Sequence, residues 1–471
     1  MHASQDPVSK PRLTDLFIAG RAPATLLLGG GVGLEAVEFY VTSSLMPSMV
    51  RDIGGLELLA WTTTLFIAAI VLGSIFVVIR PRNLTLNRTY IAGCLIFSIG
   101  CAVIGLAPNM VTVLIGRTVQ GFGAGLMVTM AYSFIRFVYP PGLQNAASAL
   151  YTTLWGVAVF LGPSLGGLFA SGSQWRWAFL ILIPVALLMA AAAPRMLPPG
   201  EDDRSPERPP ILQIGLILSG ILAVSFAGTT EDDGLRGLLV AAGVLLGAAF
   251  LVTERISSTR LLPRQSTWLG HVLSRVYLVM FLMIVGLNSD IYIPYFLQTL
   301  HATSPLVAGY VVALVALGWT AAGLGTASFT GRRALGSIIV GAVLSFVSIL
   351  SLAFVVARSD PGGSLSVLTL TSILLFGMGA GVGFCWAHLV SLILTRSDEP
   401  EADKASASIN LIQSLAAAFG AAAAGVIANG YGLVEPGGIE GALKASFHLY
   451  ALMALPAAAA FLVALTLFRK T

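Results

Sequence analysis

Fourteen apolar stretches follow one another along the 471-residue chain with short polar breaks between them, at about 24–46, 58–79, 90–106, 110–134, 145–170, 176–193, 211–228, 235–253, 273–297, 306–328, 334–356, 364–394, 404–428 and 445–468. A helix of roughly 20 apolar residues crosses the hydrocarbon core of a bilayer. In lipid the backbone must satisfy its own hydrogen bonds, so successive segments of this length are helices. Composition agrees. Hydrophobic residues make up 56 % of the chain and charged residues 10 %, against about 25 % charged in a soluble domain. That excludes a soluble enzyme, whose surface would lack charge, and a disordered chain, which needs low hydrophobicity. The net charge of +4, from 26 basic and 22 acidic residues, is too mild to indicate nucleic acid as a partner. The expected fold is all-α and integral to the membrane, with the lipid bilayer as its solvent.

No catalytic, metal or cofactor site is expected, and the chain is not read as an enzyme. Cys94, Cys101 and Cys385 lie inside apolar stretches, and the first two, seven apart on one helix, cannot pair. The histidines at 2, 271, 301, 388 and 448 show no zinc-type spacing with cysteine. Gly29, Gly30, Gly31 and Gly33 lack the Gly-Lys-Ser/Thr of a phosphate loop and read as close packing or bending in helix one. The polar N-terminus, up to about Ala22, has no apolar signal-peptide core, so the first span is expected to be a mature helix.

The basic residues test the count of spans. With the N-terminus inside, the inside segments hold 20 of them: Lys10, Arg12, Arg21, Arg80, Arg82, Arg88, Arg136, Arg195, Arg204, Arg208, Arg255, Arg260, Arg264, Arg275, Arg332, Arg333, Arg396, Lys404, Arg469 and Lys470. The outside loops hold five, Arg51, Arg176, Arg236, Arg358 and Lys444, and Arg117 lies within a span. Removing one span would invert every later loop and destroy this positive-inside bias. An even number of helices with both termini cytoplasmic is expected.

An internal repeat sets the layout. Span four carries Gly121-Phe122-Gly123-Ala124-Gly125 and span twelve Gly377-Met378-Gly379-Ala380-Gly381, offset by 256. Span five has Ala147-Ser148-Ala149, Gly162 and Gly167, and span thirteen has Ala405-Ser406-Ala407, Gly420 and Gly425, each offset by 258. A repeat eight helices away is a six-helix unit plus two inserted helices. We therefore expect an N-terminal bundle over 1–193, a connecting segment with two inserted helices over 194–272, and a C-terminal bundle over 273–471. The stretch 194–210, with Glu201-Asp202-Asp203-Arg204, is the linker to the inserted pair.

Local motifs in this frame resemble the major facilitator superfamily. Arg117-Thr118-Val119-Gln120-Gly121-Phe122-Gly123 is similar to its Arg-x-x-Gln-Gly-x-Gly signature in helix four. Gly162-Pro163-Ser164-Leu165-Gly166-Gly167 is similar to the Gly-Pro-x-x-Gly-Gly motif of the antiporter branches. Trp175-Arg176-Trp177-Ala178-Phe179 resembles the opening of helix six, and Trp61, Thr64 and Phe66 the start of helix two. With fourteen spans the nearest group is the drug:proton antiporters. Two features depart from the pattern. The loop after helix two carries Arg80, Arg82 and Arg88, but Val77 stands four residues after Gly73 where an aspartate is usual. In helix one the acid nine residues before Pro47 is Glu38 instead of aspartate. The resemblance implies the major-facilitator fold, two six-helix bundles plus two inserted helices, and a multi-pass protein of the bacterial inner membrane. It also implies that Gly162, Pro163, Gly166 and Gly167 help seal the outward side.

Charges near the bilayer centre cost about 2.5–3.5 kcal/mol each on insertion scales. Those placed there are Glu35 and Glu38 on helix one, Arg117 on helix four and Asp290 on helix nine. Glu35 and Glu38 are three apart and share a helix face. Two close carboxylates resist joint ionisation, so one can hold a proton, as a coupling site requires. No Asp or Glu occurs from residue 58 to residue 200, so within the first bundle a partner for Arg117 must come from helix one or the outer loop. At 1.5 Å per residue, Glu38 and Arg117 lie at about the same depth, and this pair is expected, with Glu35 freer. Asp290, on the repeat counterpart of helix one, offers a carboxylate from the second bundle, and Pro294 would break the helix beside it. Tyr40, Tyr151, Trp155, Tyr292, Tyr295 and Trp386 are candidate pocket aromatics; His388 is a weaker proton-relay candidate.

The function expected is proton-coupled antiport: export of amphipathic or hydrophobic small molecules, cationic or neutral, by alternating access of the two bundles about a midplane site. The proton gradient is the energy source, and a monomer is expected. The alternatives are an importer or a metabolite or lipid transporter on the same fold, and, from another class, a membrane sensor or scaffold without proton coupling. Epitope tags at both termini and in 194–210 should be cytoplasmic, and a tag in the 229–236 loop external. Finding the linker and that loop on one side would remove the inserted pair.

Overall fold

Leu- and Ala-rich spans become helices here, and polar or Pro/Gly-rich breaks end them. The computed structural model describes residues 13–18, 20–81, 84–170, 174–198, 210–268, 270–358 and 365–468. The charged run Glu201-Asp202-Asp203-Arg204, and Lys10, Arg12, Arg82, Arg208, Arg469 and Lys470 of the basic residues counted above, lie outside the described residues. The helices are α1 (Ala22–Ile53), α2 (Leu59–Ile79), α3 (Leu86–Gly105), α4 (Met110–Val138), α5 (Pro141–Leu168), α6 (Trp175–Leu180), α7 (Leu182–Met196), α8 (Ile211–Ala227), α9 (Asp233–Ile256), α10 (Val272–Leu287), α11 (Ile293–Leu300), α12 (Pro305–Thr326), α13 (Gly331–Val356), α14 (Leu365–Arg396), α15 (Ala402–Gly430) and α16 (Gly438–Phe468). The sixth span is α6 and α7, and the ninth is α10 and α11 joined by a 3-10 turn, Asn288–Tyr292. Among the described residues thirteen spans are long and apolar enough to cross a membrane. The fourteenth, α8, is a shorter apolar helix of 17 residues, about 25 Å long.

Starts and stops follow local chemistry. Asn109 accepts from the Thr112 N–H at 2.9 Å to open α4, and Pro305 sits in the first turn of α12, where a missing N–H costs nothing. Gly54 and Gly55 adopt positive φ (71° and 80°), which turns the chain from α1 towards α2 within a few residues. Where the aspartate of the family pattern is absent, Arg80 closes α2 by donating to the carbonyls of Val77 (2.5 Å) and Leu84 (3.2 Å).

Two bundles, α1–α7 and α10–α16, are built on the same contacts. In the first, a Cβ at Gly121 or Gly125 would collide with the Phe66 or Ile70 carbonyl of α2, and one at Gly123 with the Phe97 amide of α3. In the second, Gly379 and Gly383 meet the Val315 and Trp319 carbonyls of α12, while Gly381 meets Ser345 of α13. The structural partners are therefore Gly121 with Gly379 and Gly123 with Gly381, an offset of 258 in place of the 256 expected from sequence. Glycine at every second position overlays itself after a shift of two, and only the neighbouring helices distinguish the registers. With this correction spans four and five repeat at one offset. Helix one also uses its glycines for packing: Gly31 lies against Tyr90, whose hydroxyl donates to the Leu27 carbonyl at 2.7 Å.

The bundles meet reciprocally, α5 on α12 and α15 on α2. Gly167 packs on Leu306, and Gly425 packs on Ala60. These contacts lie in the half of the molecule that carries the α1–α2 loop, called here the first-loop face. Arg51 donates to Gln298 (2.9 Å), the Ser164 and Tyr310 hydroxyls bond at 2.5 Å, and Asn429 donates to the Glu57 carbonyl (2.9 Å). Towards the opposite, terminal face the same helices expose Thr152 and Thr153 on α5 and Ser406 and Asn410 on α15. At that face these polar groups of α5 and α15 are left uncovered by the other bundle.

Gly379→Val should prevent folding, because the backbone of α12 stands where the side chain must go. Gly247→Val, with nothing within 4 Å of the new Cβ, should leave yield and thermal stability unchanged. Monodispersity on size-exclusion chromatography in detergent checks both, and equal behaviour would contradict the packing described.

Candidate functional site

The first bundle closes around a charge. Arg117, on α4, is 2 % exposed and pairs with Glu38 of α1, which is fully buried. Its Nη1 also donates to Gln120 Oε1 at 2.6 Å, its Nε donates to the Thr62 carbonyl at 3.2 Å, and the guanidinium lies 3.8 Å over the Phe66 ring. Gln120 in turn donates to Cys101 Sγ at 3.2 Å. Gly100 makes this possible, since a Cβ there would meet the Gln120 backbone. Four helices, α1 to α4, thus share one buried cation. An isolated guanidinium would be strongly unfavourable here; a carboxylate, an amide oxygen, a carbonyl and an aromatic face replace its water.

On Glu38 the proton acceptors are unequally used. Oε1 takes Arg117 and the Thr42 hydroxyl (2.6 Å), whereas Oε2 is buried without a partner. Glu35, a turn nearer the terminal face, is also buried, makes no hydrogen bond among the described residues, and leaves Oε2 unpartnered. Asp290 sits in the 3-10 turn Asn288–Tyr292, half-buried, with its carboxylate facing the N–H groups of its own residue and Ile291. Pro294 lies in the first turn of α11, directly after this break. In the register set by Gly162 on Tyr40 and Gly420 on Asn288, Asp290 takes the place of Thr42. Glu35 of the first bundle and Asp290 of the second both lie within electrostatic range of the Tyr40 hydroxyl.

The aromatics divide into two sets. Tyr40 and Trp155 pack edge to face at 6.4 Å beside Phe39 and are half-buried. Tyr295 (with its ring edge on Phe296) and Trp386 (against Trp319 at 5.2 Å) are also half-buried. Tyr151 is fully enclosed, its hydroxyl donating to the Ala131 carbonyl at 3.2 Å, and lines no open space in this state. Tyr292 is likewise enclosed, stacked on Phe296 at 5.9 Å with its hydroxyl unpartnered. His388 is buried, stacked on Phe329, with Nε2 unpartnered, away from the helix-one acids.

The Gly-Pro motif lies where the bundles touch. Cβ atoms at Gly162 and Gly166 would collide with Tyr40 and Ser44 of α1. On the other side of α5, Pro163 packs on Gly309 and Gly167 on Leu306 of α12. Sequence reasoning missed Thr42, which shares the Glu38 carboxylate, and Asn429, which crosses between bundles. The one legible signal for Asn429 is an amide near the end of an Ala- and Gly-rich helix.

The sequence matches the Major Facilitator Superfamily model over residues 28–421. A probable multidrug-efflux transporter of Mycobacterium tuberculosis is 34 % identical over 414 residues, covering 86 % of this chain and 87 % of that one. The tetracenomycin C resistance and export protein of Streptomyces glaucescens is 26 % identical over 79 % of this chain and 66 % of its own. Among solved structures, a bacterial homologue of the human lysosomal transporter Spinster, in an inward-facing and unoccupied conformation, aligns with a TM-score of 0.66 at 16 % identity, over 96 % of this chain and 98 % of that one. A POT family transporter aligns with a TM-score of 0.67 at 14 % identity, over 95 % and 99 %.

Arg117→Ala should cost about 3–5 kcal/mol, the usual penalty for stranding one member of a buried pair. Arg136→Ala, at an exposed position on α4, should cost less than about 1 kcal/mol. Thermal unfolding in detergent compares them; equal, small losses would show that the Arg117 site is not closed to water.

Proposed function

This chain belongs to the major facilitator superfamily, a family of membrane transporters, and on that premise we propose that it exports amphipathic or hydrophobic small molecules, cationic or neutral, in exchange for protons. One observation carries the proposal. Glu35 and Asp290 are carboxylates without an ion-pair contact among the described residues, held on opposite bundles within electrostatic range of one tyrosine, Tyr40, while the neighbouring Glu38 is already paired with Arg117. Such groups can take up either a proton or a cationic substrate, and competition between the two is what exchange needs. The similarity to transporters named for drug efflux and antibiotic export supports the direction.

In this reading the terminal face is cytoplasmic, both termini are inside, and the exposed Thr152, Thr153, Ser406 and Asn410 line a cleft that opens inward. Substrate enters it from the cytoplasm or inner leaflet and displaces a proton from Glu35. The bundles then part at the first-loop face, where Pro163 and Gly167 let α5 separate from α12 as a smooth surface while Gly162 and Gly166 keep it packed on α1. Outside, a proton neutralises Glu35, removes the cation's counter-charge and favours return. Tyr40 and Trp155, with Tyr295 and Trp386, supply aromatic surface for ring-bearing substrates. Glu38 and Arg117 hold α1 to α4 and keep the site in register. The protein works in the bacterial inner membrane without a cofactor.

Purified protein in liposomes with an imposed pH gradient tests this, using ethidium as a lipophilic cation and a trapped pH dye. Glu35→Gln should remain folded and lose uphill, pH-driven ethidium movement, while downhill exchange survives. Asp290→Asn should weaken cationic substrates more than neutral ones. Continued concentration of ethidium by the Glu35→Gln variant would remove Glu35 from the coupling step.

A further inference from the structure

Helices α8 and α9 belong to neither bundle, and their contacts are unequal. They grip each other closely: a Cβ at Gly243 would collide with Val224. Against the second bundle, α8 packs along α15, with Gly220 on Phe419 and Gly228 on the backbone of Gly425 and Val426. At the terminal face the segment after α9 is tied to the α14–α15 loop, through Arg260 to Glu401 (3.2 Å), the Arg264 N–H to Glu401 (2.8 Å) and Gln265 to Asp398 (2.8 Å). Glu254 holds that segment's own turn by accepting from the N–H groups of Leu261 and Leu262 at 2.8–3.0 Å.

Against the first bundle the contact is at one end. Phe226, near the tip of α8, meets the Trp61 ring edge-on at 4.7 Å. Towards the terminal face an apolar crevice of about 280 Å³ separates the helices, between Leu72, Ile75, Phe76 and Ile79 of α2 and Ile211 and Ile214 of α8. Asn429 joins all three bodies at the tip. Its amide donates to the Glu57 carbonyl of the first bundle (2.9 Å) and to the Gly228 carbonyl of the inserted pair (2.8 Å). The junction is too narrow for a water molecule. It buries Trp61 Nε1, Ser225 Oγ and Asn429 Oδ1 without hydrogen-bond partners among the described residues. Parting this junction returns those three groups to water, so it is a contact made to open, whereas at the ties to Glu401 and Asp398 one atom, Arg260 Nε, is unpartnered among the described residues and the others are bonded.

We propose that the inserted pair travels with the C-terminal bundle, and that its tip forms a second closure of the first-loop face, Phe226 on Trp61 with Asn429 as the latch. The proposal rests on the alternating access of the two bundles and not on proton coupling or direction.

Nitroxide pairs in liposomes, read by pulsed EPR at pH 5 and pH 8 with and without ethidium, test it at three exposed sites: Pro108 on the first bundle, Glu231 on the inserted pair and Ile439 on the second. The native cysteines are buried and do not compete for label. The Pro108–Ile439 distance reports the bundles alone. When it lengthens, Pro108–Glu231 should lengthen with it and Glu231–Ile439 should stay fixed. A fixed Pro108–Glu231 with a changing Glu231–Ile439 overturns the proposal. A Pro108–Ile439 distance that never changes overturns alternating access itself, and the proposal with it. In a second arm, a crosslink in Trp61→Cys/Phe226→Cys should stop ethidium efflux until reduced, as should one in Arg51→Cys/Gln298→Cys, which joins the bundles directly. A crosslink in Gln265→Cys/Asp398→Cys should leave efflux intact. Block by the last pair, or none by the first when the Arg51/Gln298 pair blocks, would show that the inserted helices do not ride with the second bundle.

Discussion

Close approach of backbones at small residues decides this architecture. In a bilayer, burying a Leu between helices gains little, because lipid tails are as apolar as the partner helix. What remains is van der Waals contact, strongest where helices come nearest. Glycines at every second place of α4 and α14 meet carbonyls and amides of two neighbours each. Each of these helices is therefore the centre of its bundle, and the remaining helices take their places around it. The same device recurs between bundles, where Gly167 on Leu306 is answered by Gly425 on Ala60.

The buried charge depends on this frame. Arg117 stands four residues before Gly121 on the same helix, so the contact that seats α4 on α2 also delivers the guanidinium to the Thr62 carbonyl and the Phe66 ring. With Arg117 held, Glu38 is committed and Glu35 is not. Two acids a turn apart on α1 thus have different chemistry because only Glu38 bonds the guanidinium directly. Asp290 stands apart for another reason: the helix breaks into a 3-10 turn at its position, and the freed amides face its carboxylate.

The two faces of the molecule are unlike. At the first-loop face the bundles interlock through side-chain amides and hydroxyls that are individually modest, Arg51 with Gln298, Ser164 with Tyr310 and Asn429 with Glu57. No buried ion pair crosses there among the described residues. Such a seal joins the bundles without a strong tie, which suits the alternating opening proposed above. The strong interactions, Arg117 with Glu38 and Glu254 with its turn, lie within the first bundle and within the inserted segment.

Some of this was legible in the order of residues. The spans declare themselves because hydrocarbon tolerates so little else, and the placing of Arg and Lys gives the expectation that their number is even. The partner of Arg117 was narrowed to helix one or the outer loop by exclusion, since no acid occurs between 58 and 200, and depth then favoured Glu38. The register of the repeat was not legible, because alternating glycines overlay themselves after a shift of two. Neither was the enclosure of Tyr151, whose exposure depends on how α5 lies against α4, nor the latch at Asn429, whose two acceptors are carbonyls that every residue carries. Sequence determined which groups had to be compensated, because the cost of burying charge belongs to the residue. Tertiary structure decided which neighbour compensates them and which contact can part, because backbone carbonyls and helix faces acquire identity only by position.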